Sequence, residues 1–203
     1  MTQHQRQSAA QTRDNVQAER EALHQDDIRR VSILGINALG LLHRHAADLV
    51  AILRRGGTVD VLLLDPESTQ FRERRDAEEK RGGKVSNRIL AEMEASIAIL
   101  RDILNQMLHG HAFDIASLRD RFRIRLYAQR VDRSSLFVET PRGKTLMYKK
   151  LPLSPPPPAD GAQCVVVDST GERDDPAYVR RRRFFEEVWG TARSISLDDL
   201  GTS

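Results

Sequence analysis

The chain has 203 residues, 39% of them hydrophobic, with 32 Lys and Arg against 29 Asp and Glu, which supports one domain with a proper core and rules out an intrinsically disordered composition. A net charge of +3 favours solubility without pointing to a polyanionic partner. The single cysteine, Cys164, excludes an internal disulfide, and no apolar run approaches the ~18 residues of a membrane-spanning helix, so a soluble protein of a reducing cytoplasm, without membrane insertion, is expected.

Residues 1–14, rich in Gln, Arg and Thr, have almost nothing to bury and read as a disordered leader. Residues 15–30, NVQAEREALHQDDIRR, are good helix formers with a thin stripe of Val16, Leu23 and Ile28. They read as an N-terminal helix on the surface, available to a protein partner. Residues 31–66 organise the rest: VSILGI is a strand, Leu42, Leu49, Val50 and Leu53 line one side of a helix, Gly56-Gly57 stops it, and VDVLLLD is a second strand. That second strand has little polar character and should be buried on both sides, which makes the pair a parallel βαβ unit. The expected fold is α/β over 31–195, a mixed, mainly parallel sheet flanked by helices.

Residues 66–84 are charged and turn-rich and read as a long loop. Val85, Ile89, Met93, Ile97, Leu100, Leu104 and Met107 then recur at helical spacing, with Gly83 or Ser86 as a start signal and Gly110 as the stop. In RFRIRLYAQ, Phe122, Ile124 and Leu126 alternate with Arg121, Arg123 and Arg125, so one face is apolar and the other should meet water or an anion. SLFVE and TLMYKK, separated by Thr140-Pro141-Arg142-Gly143, form a hairpin. LPLSPPPPADG must be extended, QCVVVD is another strand in which Cys164 is a buried inert thiol, and Asp175-Pro176 opens a last helix. Residues 196–203 read as a disordered tail.

The chemistry-bearing motifs are mostly absent. Gly35 to Gly40 has the frame of a phosphate loop, but Leu41 and Leu42 stand where Lys and Ser or Thr are required. The dinucleotide G-x-G-x-x-G and the serine-hydrolase G-x-S-x-G are missing too. His43 and His45 are two apart on a helix and diverge by about 200°, so they cannot chelate one ion; His109 and His111 flank a helix end. No metal and no cofactor are expected. The crevice at the carboxyl ends of the first two strands offers Asn37, Asp65, Glu67 and Ser68 as ligand-binding candidates, with Asp65 or Glu67 as nucleophile or base of a nucleotide-processing enzyme. Arg121, Arg123 and Arg125 with Arg180 and Arg181 are the anion-binding candidates, for nonspecific nucleic-acid binding.

The order of these elements, with ILGINALGLL, VDVLLLDP and the closing FFEEVWGTA (Phe185 to Ala192 as F-x-x-x-W-x-x-A), resembles the phospholipase D-like superfamily, nearest to bacterial members with one copy of the fold. Active members carry H-x-K-x-x-x-x-D where this chain reads VDRSSLFVET. The motif positions fall on Asp132, Ser134 and Glu139, which supply neither the imidazole nucleophile nor the ammonium. The resemblance therefore implies the fold, a homodimer, and a catalytically degenerate domain that senses a ligand or binds a protein in a regulatory role, with no catalytic residues of its own.

Overall fold

In a computed structural model, which describes residues 11–79, 87–109, 113–131, 133–150, 163–169 and 175–201, strands and helices follow in the order β1 (Gln11–Asp14), α1 (Asn15–Leu23), β2 (Arg30–Leu34), α2 (Leu39–Arg54), β3 (Thr58–Leu64), α3 (Thr69–Glu79), α4 (Arg88–Leu108), α5 (Ile115–Leu118), β4 (Phe122–Tyr127), β5 (Arg133–Glu139), β6 (Lys144–Lys150), β7 (Gln163–Ser169), α6 (Pro176–Thr191), β8 (Arg193–Ile195) and α7 (Leu197–Gly201). All eight strands join one sheet in the order β1-β7-β6-β5-β2-β3-β4-β8.

The two apolar segments pair in parallel, Val31 opposite Val59 and Ile33 opposite Val61, as the βαβ reading requires. Every residue of β3 after Thr58 is buried. The helix between them ends where Gly56 takes φ +93°, a conformation that costs glycine nothing. Gly57 follows, and a Cβ there would stand 2.6 Å from the Ile52 side chain.

The sheet is mixed but not mainly parallel. Only β2–β3 and β3–β4 run parallel, while β1–β7, β2–β5, β4–β8, β5–β6 and β6–β7 are antiparallel. Parallel pairs need helical crossovers. The chain reverses between β4 and β5 and again at the Thr140–Gly143 hairpin that joins β5 to β6, closed by the Thr140 amide to the Gly143 carbonyl at 2.9 Å.

Other boundaries also move. Residues 11–14 of the expected leader form β1, Gln11 opposite Val166, through backbone pairing with the distant strand β7; residues 1–10 lie outside the described part. The helix expected over 15–30 stops at Leu23, ahead of Asp26 and Asp27, whose charges oppose a helix C-terminus. The loop expected over 66–84 contains α3. Ser68 Oγ accepts from the Phe71 amide at 3.1 Å and caps its start, and Phe71 is 2% exposed. The tail expected over 196–203 contains α7, which buries Leu197 and Leu200 and whose Leu200 carbonyl accepts from Arg101 Nε at 2.8 Å. The Pro-rich tract and residues 80–86, with the start signals of α4, lie outside the described residues.

Register sorts the side chains onto two faces. One carries Val31, Ile33, Val59, Val61, Leu63, Phe122, Ile124, Leu126, Leu136 and Val138, all buried, and packs beneath α1, α2 and α4. Cys164 is 2% exposed here, and burial pushes its thiol pKa up, in keeping with an inert side chain. The other face carries Arg30, Ser32, Asp60, Arg123, Arg125, Phe137 and Glu139, and α6 lies across it. Phe137 meets Tyr178 and Phe185 edge-on at 5.7 and 5.5 Å, and Phe185 stacks on Trp189.

Candidate functional site

The face under α6 is where charge concentrates. Asp60, on β3 between β2 and β4, is 0% exposed, and its two oxygens receive Arg30 Nε at 2.8 Å and Arg123 Nε at 2.7 Å. A buried carboxylate survives only when paired in this way. From above, Arg182 Nη1 donates to Ser32 Oγ at 2.9 Å, stands 3.4 Å from Glu139, and Arg182 Nε pairs with Glu186 at 3.1 Å. Tyr178 donates its hydroxyl to Glu139 at 3.0 Å.

At the edge of this layer, between α6 and the ends of β2, β5 and β6, opens a cleft of about 340 Å³. Arg30, Lys144, Arg182 and Arg183 line it together with Glu139 and Glu186. Arg30 already pairs with Asp60, Arg182 with Glu139 and Glu186, and Arg183 with Glu187, while Lys144 lies 5.6 Å over the Tyr178 ring, so an anion entering this cleft would compete with these pairs for its cations. A second groove, of about 700 Å³, runs between the start of α2 and the middle of α4, past Leu39, Gly40, Ala95, Ala98 and Ile99.

The motif positions do not converge. Asp132 lies outside the described residues. Ser134 and Glu139 belong to one strand with opposite parity, so they project to opposite faces, roughly 16 Å apart along it. Glu139 is the one that reaches the charged cleft.

The strand-end candidates separate as well. Asn37 borders the apolar groove, where its amide donates to Glu92 at 2.7 Å and its carbonyl oxygen accepts from the Leu39 amide at 3.2 Å. Asp65 accepts from the Glu67 amide at 3.0 Å and pairs with Arg193 at 3.2 Å. Ser68 caps α3, and Glu67 is exposed. Among the described residues the crevice between β2 and β4 is filled by Tyr127, which is 1% exposed and donates its hydroxyl to the Gly35 carbonyl at 3.1 Å. Burial holds the Tyr127 phenol well above the ordinary tyrosine value.

The arginine row is half-buried and engaged by groups of the fold itself. Arg123 is bound by Asp60, and Arg125 donates to the Trp189 carbonyl at 2.7 Å with its guanidinium 4.6 Å from the Trp189 ring centre. Arg121 donates to the Leu53 carbonyl and lies over Phe113. Arg181 lies 5.3 Å over Tyr148, and Arg180 is exposed. The alternation in β4 is real, but its guanidinium groups are taken up by Asp60 of β3, by Trp189 of α6 and by the Leu53 carbonyl at the end of α2.

Sequence reasoning passed over Asp60, Arg30 and Arg182. The available signal was one acid inside an apolar strand, with Arg123 opposite it on β4 and Arg30 two residues before its β2 partner Ser32 on the same face, legible once the register is known. The chain matches no family model and no curated protein.

Proposed function

We propose that this chain is a catalytically degenerate phospholipase D-like domain that works as a ligand-sensing or protein-interaction module, with the charged cleft beside α6 as the place where a small anionic ligand enters. The observation that carries the reading is the use made of Glu139. At the position where the family's aspartate would orient a histidine, this carboxylate is held by Tyr178 and Arg182 at 3.0 and 3.4 Å. The groups around it, Arg30, Lys144, Arg182 and Arg183, are cations that attract an anion, and among the described residues no histidine lines the cleft to attack phosphorus as in active members of the family. The family's covalent phosphoryl chemistry requires such a nucleophile.

The resemblance also implies that two copies pair, which light scattering at twice the chain mass would register. A nucleotide-processing site at Asp65 gains no support, since that carboxylate is occupied by a turn amide and by Arg193.

The test has two parts. Bis-p-nitrophenyl phosphate should not be hydrolysed, and turnover that disappears in Asp132→Ala or Glu139→Ala would overturn the reading. Pyrophosphate and a nucleotide panel should raise the thermal midpoint, with the rise lost in Lys144→Ala combined with Arg183→Ala. A midpoint that no anion moves would remove the ligand-sensing half.

A further inference from the structure

Away from the charged face, three metal-capable side chains from two helices meet on the other side of the sheet. His45 and Asp48 stand three apart on α2, the spacing that sets two helical side chains on one face. His24 is the residue that closes α1. His45 Nδ1 lies 2.8 Å from Asp48 Oδ2, and His24 Nε2 lies 3.4 Å from that same oxygen. One ligand atom from each of the three falls within 4.8 Å of the others. Donors around a tetrahedral ion at about 2.1 Å sit roughly 3.4 Å from one another, so small side-chain rotations separate this triangle from coordination.

Two further features single the cluster out from a surface ion pair. The first is backbone: His45 leaves helical geometry inside α2, with φ −120° and ψ 15°. The second is a buried nitrogen. The His45 side chain is 5% exposed, and its Nε2 has no hydrogen-bond partner. Glu19 Oε2 stands 3.5 Å from that nitrogen, and Arg44 Nε holds the same oxygen at 3.1 Å.

A proton on Nε2 leaves Nδ1 as the ring's free lone pair. With Nδ1 on a cation, Nε2–H points at Glu19, which is the carboxylate–histidine–metal relay that fixes the tautomer and raises the ring's basicity. His24 is 56% exposed and Asp48 26%, which leaves one side of the triangle open for entry and for a fourth ligand from water.

We propose that His24, His45 and Asp48 bind one zinc-class divalent cation, with Glu19 as the positioning residue for His45. Two imidazoles and one carboxylate suit Zn²⁺, Co²⁺ or Ni²⁺, whereas Mg²⁺ and Ca²⁺ prefer all-oxygen sets. The bound ion clips the end of α1 to α2.

The experiment uses the full chain stripped with EDTA and titrated with Co²⁺ and then Zn²⁺. One equivalent of Co²⁺ should give the visible bands of a low-coordinate N/O site, zinc should bleach them, and zinc should raise the thermal midpoint. His24→Ala removes an exposed side chain and should weaken cobalt binding at least about tenfold, as should Asp48→Asn, while Glu19→Gln should cost roughly 10- to 100-fold. His43→Ala and His109→Ala, at exposed positions outside the cluster, should leave it unchanged. Cobalt without ligand-field bands, a midpoint moved equally by Mg²⁺, or an affinity that survives both His24→Ala and Asp48→Asn would overturn the site.

Discussion

The two faces of the sheet are built on different principles. The face under α1, α2 and α4 is apolar from Val31 through Val138 and is held by area and shape. The face under α6 places Asp60 between Arg30 and Arg123, and Arg182 against Ser32 and Glu139. Area is forgiving of chemistry and intolerant of lost volume. Paired charge is the reverse: intact, it contributes little net stability, but removal of one member leaves a desolvated partner.

The largest effect should come from the apolar face. Leu63→Ala, at a position 0% exposed, is expected to cost about 4 kcal/mol in urea denaturation, because the lost methylenes leave a cavity. A cost below about 1 kcal/mol would show that this face is loosely packed and break the contrast.

On the other face Asp60→Asn should cost about 3 kcal/mol, near the low end for a broken buried pair, since both guanidinium groups keep one third of their surface in water. The sharper version replaces the group together. Arg30→Met, Asp60→Leu and Arg123→Met combined should be near neutral or more stable than the parent, and a sum of three large losses would contradict the account of the pairing.

Tyr127→Phe should produce the smallest change, about 1 kcal/mol at neutral pH for the hydrogen bond to Gly35. It also carries a pH signature. Burial raises the phenol's pKa in the fold above the ordinary 10.0, so the folded chain holds this proton more tightly than the unfolded one. The stability tied to it is complete below pH 10.0 and falls as the pH climbs above that value. Alkaline melting curves should therefore lose part of their slope in Tyr127→Phe, and an unchanged slope would place the titration elsewhere.

Much of the scaffold could be read from the residues alone. The continuous apolarity of β3, the three-and-four spacing in α4 and the turn residues at Thr140–Gly143 each reflect a local rule that tertiary context did not override. The failures have physical causes. Among the residues of α3 whose side chains are described, Phe71 alone is fully buried, so no hydrophobic period announces a helix that rests on a Ser68 cap and good helix formers. β1 is recruited by a distant strand, which its own composition does not reveal. The majority of antiparallel pairs follows from the return path after β4, whereas the expectation extended the parallel rule of one βαβ unit to the whole sheet. The candidate site was the least legible part. Glu139 could be named from motif position, but its meeting with Tyr178 and Arg182, and that of His24 with His45 and Asp48, joins segments far apart in sequence.

The two outermost ribbons of the sheet come from opposite ends of the described residues, Gln11–Asp14 beside β7 and Arg193–Ile195 beside β4. During synthesis β4 keeps a bare row of amides and carbonyls until Arg193–Ile195 has left the ribosome. An unpaired margin of this kind recruits foreign strands, so a shortened transcript ending within α6 would yield a sticky intermediate rather than a smaller working domain.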